Sequence, residues 1–334
     1  MLTWWEHCRP AGSRLCVITV MDEDRLAGIG PFFVTGGRVS RARLLAAPVS
    51  NQLGPLALPA FERQTAATIS AVLSSQGIPR LTLEGVKAAP PWGPIFGRSL
   101  SHRVHKHWWM QAPIITLGEG TFDDWFASRS ANFRQQMRRD RRKLEKAGAS
   151  VRMTTEDSIE SDVRSFSKLH RARWATRGGS ATLSSTVEAM VLSAARRLIP
   201  VGAMRLWNID VAGDTISSHM FLTAGDVASY WLGGFDDGWS EMRPGMQALM
   251  AALEHSWSVG DKIFDLGSGD DPYKLRFTDE HDTLEWWDVL ELGRPGAWGV
   301  VLAERAKRSA SRHLPEPTRK RVRAFLRSTR SRTD

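Results

Sequence analysis

The stretch from Arg243 to Asp279, RPGMQALMAALEHSWSVGDKIFDLGSGDDPYKLRFTD, constrains this chain more than any other. It reads as helix, short strand, glycine-rich loop and second helix. Pro244 suits a first helical position, where the N–H that proline lacks has no intrahelical partner to lose. Met246, Leu249, Met250, Leu253 and Trp257 recur at the spacing of one buried helix face. Gly260 stands where a helix-ending glycine belongs. Residues 262–266 then form an apolar strand, and residues 267–272 can only be a loop. The helix start leaves backbone N–H groups around Pro244, Gly245 and Met246, next to the Arg243 side chain. Such a place can hold a phosphate.

A strand ending in Phe264-Asp265-Leu266-Gly267-Ser268-Gly269-Asp270 also resembles the glycine loop of an S-adenosylmethionine methyltransferase. That fold needs most of its parallel sheet after the loop, and too little sheet-forming chain follows Gly269 here. More residues fit another pattern: Pro-Gly at a helix start, then F-D-x-G-x-G, then Tyr273-Lys274, with Leu169-His170-Arg171-Ala172-Arg173-Trp174 upstream. In that order these motifs resemble the CelD/BcsL family of GNAT-superfamily acyltransferases, relatives of the FemABX aminoacyl transferases. The resemblance runs from about Leu15 to Leu292. It implies an α/β (α+β) fold of two tandem GNAT-like domains, each a mixed sheet flanked by helices.

Length and composition agree with this. A chain of 334 residues, 42% hydrophobic and 24% charged, is an ordinary globular protein able to bury two modest cores. No apolar run approaches bilayer-spanning length, residues 1–16 lack a signal-peptide core, and Cys8 and Cys16 fit a reducing compartment. The expected location is the cytoplasm. The net charge of +9 is concentrated in two places. Residues 305–332 carry a net +10 and residues 129–152 a net +7, on an otherwise mildly acidic body.

Along the chain, 16–21 and 28–34 predict a hairpin across the turn at Asp22, with Pro31 placing the second strand at an edge or bulge. A helix is expected over 61–76, strands over 81–86 and 108–117, and a loop over 88–97. Thr121, with Asp124 three residues on, should cap one long basic helix reaching Gly148. Helices at 159–174 and 186–198 precede strands at 204–211, 215–223 and 227–235. A final strand is expected near 285–292. The predicted domains are 1–117, a degenerate GNAT-like half; 118–150, a basic connecting helix; 151–295, the catalytic half; and 296–334, a basic tail.

GNAT-type acyl transfer needs the donor's pantetheine and pyrophosphate held, its carbonyl polarised, and an unprotonated amine or hydroxyl brought close. By resemblance the donor is acetyl-CoA or another acyl-CoA, with no metal, and Arg243, Pro244, Gly245 and Met246 would hold it. The loop departs from the usual Q/R-x-x-G-x-G/A signature. Lys274 matches the lysine that follows the aromatic residue in these families, and by resemblance would stabilise negative charge on the donor or intermediate; otherwise it is a surface lysine. Asp265 is either a salt-bridge partner or the general base. His219, read as lying opposite Ile216, Ser218 and Met220 on its strand, is either a base or a hydrogen-bonded core residue. Asp236 and Asp237 are the other base candidates. Arg173, Trp174, Tyr230 and Tyr273 are the expected acceptor-binding residues.

By resemblance the acceptor, a small molecule or glycan, belongs to polysaccharide or cell-envelope synthesis. Aminoacyl-tRNA as donor is the alternative that the basic helix would suit, and a non-catalytic subunit of an envelope-synthesis complex is another. The tail, with Leu314, Val322, Phe325 and Leu326 among its arginines, has a basic amphipathic pattern compatible with peripheral contact at an anionic inner membrane.

Overall fold

A computed structural model of the chain describes residues 1–291 apart from 38, 48, 51, 99–101, 176–178 and 181, together with 293, 299 and 302. Its elements, in chain order, are α1 (Leu2–Cys8), β1 (Arg14–Asp22), β2 (Arg25–Thr35), β3 (Arg41–Leu44), β4 (Leu56–Ala57), α2 (Glu62–Ser75), β5 (Arg80–Lys87) and α3 (Trp92–Phe96). They continue with β6 (His102–Thr116), α4 (Phe122–Ser128), α5 (Ala131–Lys146), β7 (Ser150–Met153), α6 (Ile159–Ala175) and α7 (Ser185–Leu198). The last are β8 (Met204–Val211), β9 (Asp214–Ala224), β10 (Val227–Phe235), α8 (Pro244–Ser258), β11 (Ile263–Asp265) and β12 (His281–Glu291). The basic tail lies outside the described residues.

The chain divides into two units. One comprises Arg9–Trp109 and the chain from Leu284. Its strands run in the order β1-β2-β3-β5-β12, with β4 beside β2. β3 is parallel to β5, and the other pairs are antiparallel. Alternation sends Ile18, Phe32, Leu44 and Leu83 to one face, where Ile69 and Leu73 of α2 complete the core. Pro31 sits inside β2 without breaking it. On that edge β4 pairs at Gly28–Ile29 and β3 from Phe32, so Pro31 falls in the gap where no ladder N–H is required.

The other unit comprises Met1–Cys8 and Met110–Thr283, with strand order β6-β11-β10-β9-β8-β7. All its pairs are antiparallel except β10 with β11. The apolar face of α8 closes one side of this sheet, burying Leu249 and Leu253 with Phe221 and Phe264. α6 packs on β9 and β10, where Phe166 stacks on Trp231.

The two compact units divide at 8/9, 109/110 and 283/284, the last two inside β6 and β12. Several expectations are corrected. The long basic helix is two helices. The Thr121–Asp124 capping box starts α4, the chain turns extended at Arg129, and Ser130 caps α5 by accepting from Phe133 N–H. α5 is part of the unit that holds α8 and contacts it. The loop over 88–97 contains α3, the helix after the glycine loop is a single 3₁₀ turn (Lys274–Arg276), and β7 went unpredicted. The last strand, β12, pairs with β5 and so belongs largely to the unit containing the first half of the chain.

Candidate active site

β9 carries His219 into the interior. Its cross-strand neighbours are Trp207 on β8 and Gly233 on β10, which share its face. The β8–β9 register shifts between Ile209 and Asp210, so Ile216 has no partner on β8 and bulges. That bulge resets the alternation: Ile216 packs with Ala248 of α8, on the side His219 also faces, contrary to the strict period-2 reading.

The His219 side chain is 6% exposed, and neither ring nitrogen has a hydrogen-bond partner among the described residues. Tyr230 stacks against it, centroids 5.6 Å apart and planes 27° apart. Gly233 must be small, since a Cβ there would stand 2.4 Å from His219 Nδ1 and 2.7 Å from Tyr230 Oη. On the other side of the ring, a Cβ on Gly245 would stand 3.1 Å from Nε2. Nε2 therefore faces the first turn of α8. Burial, reinforced by the positive charge of Arg173, pushes the His219 pKa down to about 3. At neutral pH the imidazole is uncharged, with one N–H and one lone pair, both unused. Leaving such a group unsatisfied costs about 1–3 kcal/mol, so its retention points to use.

Tyr230 and Tyr273 both have phenol pKa values raised, chiefly by burial, and remain O–H donors. Arg173, near the end of α6, lays its guanidinium 4.3 Å from the centroid of the Phe235 ring. Its field reaches His219, Tyr230 and Tyr273. Gly234 lets α6 approach: a Cβ there would come within 2.4 Å of the His170 backbone nitrogen. His170 is fully satisfied, with Nδ1 donating to Gly233 O at 3.0 Å and Nε2 accepting from Ser180 Oγ at 2.9 Å. It fixes α6 to the glycine pair.

Beside Tyr230, β10 and β11 part. They pair only over Val227–Ser229 against Ile263–Asp265, while β10 continues to Phe235. Alternation sends Tyr230 toward His219 and Trp231 toward α6, and a bulge at Trp231 resets the register so that Gly233 again falls opposite His219. Gly267 holds the point of divergence. Its φ is +78°, and a Cβ would lie 2.9 Å from Tyr230 O.

The remaining candidates fall elsewhere. Lys274 is 3% exposed, and its Nζ donates to the carbonyls of Gly267, Ser268 and Gly269 at 3.2, 2.7 and 3.2 Å. It ties the glycine loop rather than standing on a surface. Asp265 is buried and accepts from Gly267 N–H at 2.8 Å, closing the same loop. Asp236 is exposed and caps the 3₁₀ turn Asp237–Met242 through Gly238 N–H. Arg243 is turned to Asp140 of α5, with Nη1 2.6 Å from a fully buried carboxylate oxygen. Met246 N–H and Gln247 N–H already donate to Arg243 O, and Pro244 has none, so Gly245 N–H alone is free at this helix start among the described residues. Trp174 is 37% exposed and lies 6.2 Å from the His170 ring. The structure thus gathers His219, Tyr230, Gly245 and Arg173, and sends Lys274, Asp265 and Asp236 to loop and cap roles. His170, Gly233 and Asp140 went unselected. The Gly233-Gly234 pair in a strand was the available signal for a close approach.

Among the described residues no helix is long and apolar enough to cross a membrane, and no three His, Cys, Asp or Glu side chains group to hold a metal ion.

Residues 131–275 match the model of the acetyltransferase (GNAT) domain, and the fold of this region is GNAT-like. The fold is shared with FemX, at 11% identity and TM-score 0.64 over 88% of this chain and 92% of that one. It is shared with a conserved protein of unknown function from Bacteroides thetaiotaomicron (9%, 0.55, covering 87% and 88%). It is also shared with the L-PGS of Bacillus licheniformis (11%, 0.51, covering 80% and 82%). No curated protein matches the sequence.

Proposed function

We propose that this protein transfers an acyl group from an acyl-CoA to an amine or hydroxyl acceptor, with His219, Tyr230 and the first turn of α8 at the reaction centre. The observation that carries this reading is the neutral His219 ring, both nitrogens unused, with Nε2 facing Gly245 where β10 leaves β11. A thioester is already activated, so positioning and charge stabilisation supply most of the rate. The free Gly245 N–H polarises the donor carbonyl. The basic nitrogen of His219 accepts the proton of the attacking group as the new bond forms. Its pKa of about 3 is too low to strip an ammonium ion, so the acceptor enters as a neutral amine or hydroxyl. Tyr230, held as a phenol, hydrogen-bonds the departing thiolate, which takes up the proton that His219 accepted from the attacking group. Lys274 and Asp265 act through the loop they close.

The acceptor we favour is a glycan or other cell-envelope precursor, from the resemblance to CelD/BcsL proteins, met on the cytoplasmic side. The basic tail would hold the protein at an anionic inner leaflet. A second reading, aminoacyl-tRNA as donor, draws on the site itself. With Arg243 engaged by Asp140 and one amide free, the pyrophosphate cradle expected for CoA is reduced, and FemX shares the fold.

Thermal melting with CoA, acetyl-CoA, S-adenosylmethionine and bulk tRNA, added separately, tests these. A ligand at about 100 times its dissociation constant adds about 2.7 kcal/mol of stability. A rise with CoA and acetyl-CoA, lost in Gly245→Asp, supports the proposal. A rise with tRNA alone selects the second reading. No rise with any of them favours a non-catalytic subunit.

A further inference from the structure

Among the described residues β1 forms the outer edge of its sheet, pairing with β2 and with no other strand. Folded proteins normally blunt such an edge with proline, lysine, a bulge or a very short strand. β1 has none of these. It is nine residues long, RLCVITVMD, and the register shift beside it arises from an extra residue on β2 at Ala27. Cys16 and Ile18 point into the core under α2, and Val20 is buried. On the other face Leu15, Val17 and Met21 are 46, 45 and 49% exposed, and Leu26, paired with Met21, is 49% exposed.

The strand is complementary to itself. Laid antiparallel on a second copy over its whole length, it centres on Ile18. Arg14 of each copy then stands opposite Asp22 of the other, Leu15 opposite Met21, and Val17 opposite Thr19. Opposite residues share a face, so the exposed apolar side chains meet one another and the ion pairs close both ends. A slip of one residue would turn the faces against each other, and a slip of two would break both ion pairs. Arg14 spends one N–H on Gln76 Oε1, at 2.7 Å, and Asp22 is exposed with no partner among the described residues.

We propose that two copies of this chain associate through β1 as a two-fold antiparallel pair, continuing the sheet from one copy into the other. The test is sedimentation of the full-length protein over a range of concentrations, with the melting transition recorded for every variant. Wild type is expected to reach a dimer and stop there, because a two-fold edge pair closes on itself. Val17→Lys should be monomeric, with the melt that the wild type shows at concentrations too low for the dimer. Arg14→Asp or Asp22→Arg alone should weaken the dimer roughly tenfold or more. The double variant carrying both should restore it, because each swapped charge again meets its opposite. A wild type that stays monomeric at every concentration overturns the proposal. So do growth beyond the dimer and a dimer indifferent to Val17→Lys and to both single reversals, which would assign association to another face.

Discussion

His219, the centre of the proposed chemistry, also sets an acid limit on stability. Its folded pKa of about 3 lies below the ordinary value of 6.5. Between those values the unfolded chain binds a proton that the folded chain refuses, so stability rises with pH across the window and is lost as pH falls from about 6.5 toward 3. The slope is at most about 1.4 kcal/mol per pH unit for one such group. His170 and His255, both lowered chiefly by burial, act in the same direction. Melting temperature measured from pH 7 to pH 4 should therefore fall less steeply for His219→Gln than for wild type, whatever the offset between the curves at pH 7. The same substitution removes the proton acceptor from the proposed reaction and should lower turnover about 10²–10⁴-fold. Wild-type activity should show no limb near pH 6.5 from this residue, because it stays neutral there. Parallel acid slopes would refute the buried-histidine account, and full activity in His219→Gln would remove the residue from the mechanism.

Two ties between elements hold the site's frame, and neither shows in local sequence. α8 itself was legible: five apolar residues at helical spacing behind Pro244 set its course, and their partners mattered little. That Arg243 should meet Asp140, 103 residues earlier, was not legible, because an ion pair leaves no periodic trace. Lys274 was recognisable by motif, yet its role depends on three carbonyls that only the folded loop brings together. Arg243→Ala leaves the buried Asp140 carboxylate with Arg139, 3.5 Å from its other oxygen, as its remaining cation and should cost about 1–3 kcal/mol. Arg243→Met with Asp140→Leu removes both charges and should cost clearly less than Arg243→Ala alone, as denaturant midpoints would record. If the double variant is no more stable than the single, the pair is not what joins α5 to α8. Lys274→Ala should lower stability by about 1–3 kcal/mol by stripping the loop carbonyls of their donor, and activity should fall with it. Unchanged melting with lost turnover would return Lys274 to the reaction itself.

At the scale of the molecule, the strands of each half were largely visible in the sequence, through alternation and turn residues, but their allegiance was not. Pairing partners far apart in the chain leave no local signal, so β12 reads as the last strand of the second half. Instead it runs beside β5, placing Trp287 and Val289 in the core with Leu81 and Leu83. Asp288, 1% exposed, accepts from Arg80 Nε at 3.0 Å, Arg80 Nη2 at 3.1 Å and Thr82 Oγ1 at 3.0 Å. A fragment of residues 1–117 therefore lacks a strand of its own sheet and keeps Arg80 buried with its carboxylate gone. Losing one partner of such a pair costs about 3–5 kcal/mol, a large part of what a domain this size possesses. The fragment alone should show no cooperative melt. Appending residues 281–291 through a glycine-serine linker should restore one, and Asp288→Ala within that appended strand should largely abolish it again. A cooperative transition in the unextended fragment would mean that its core closes without β12, and that the boundary near residue 117 marks an autonomous domain.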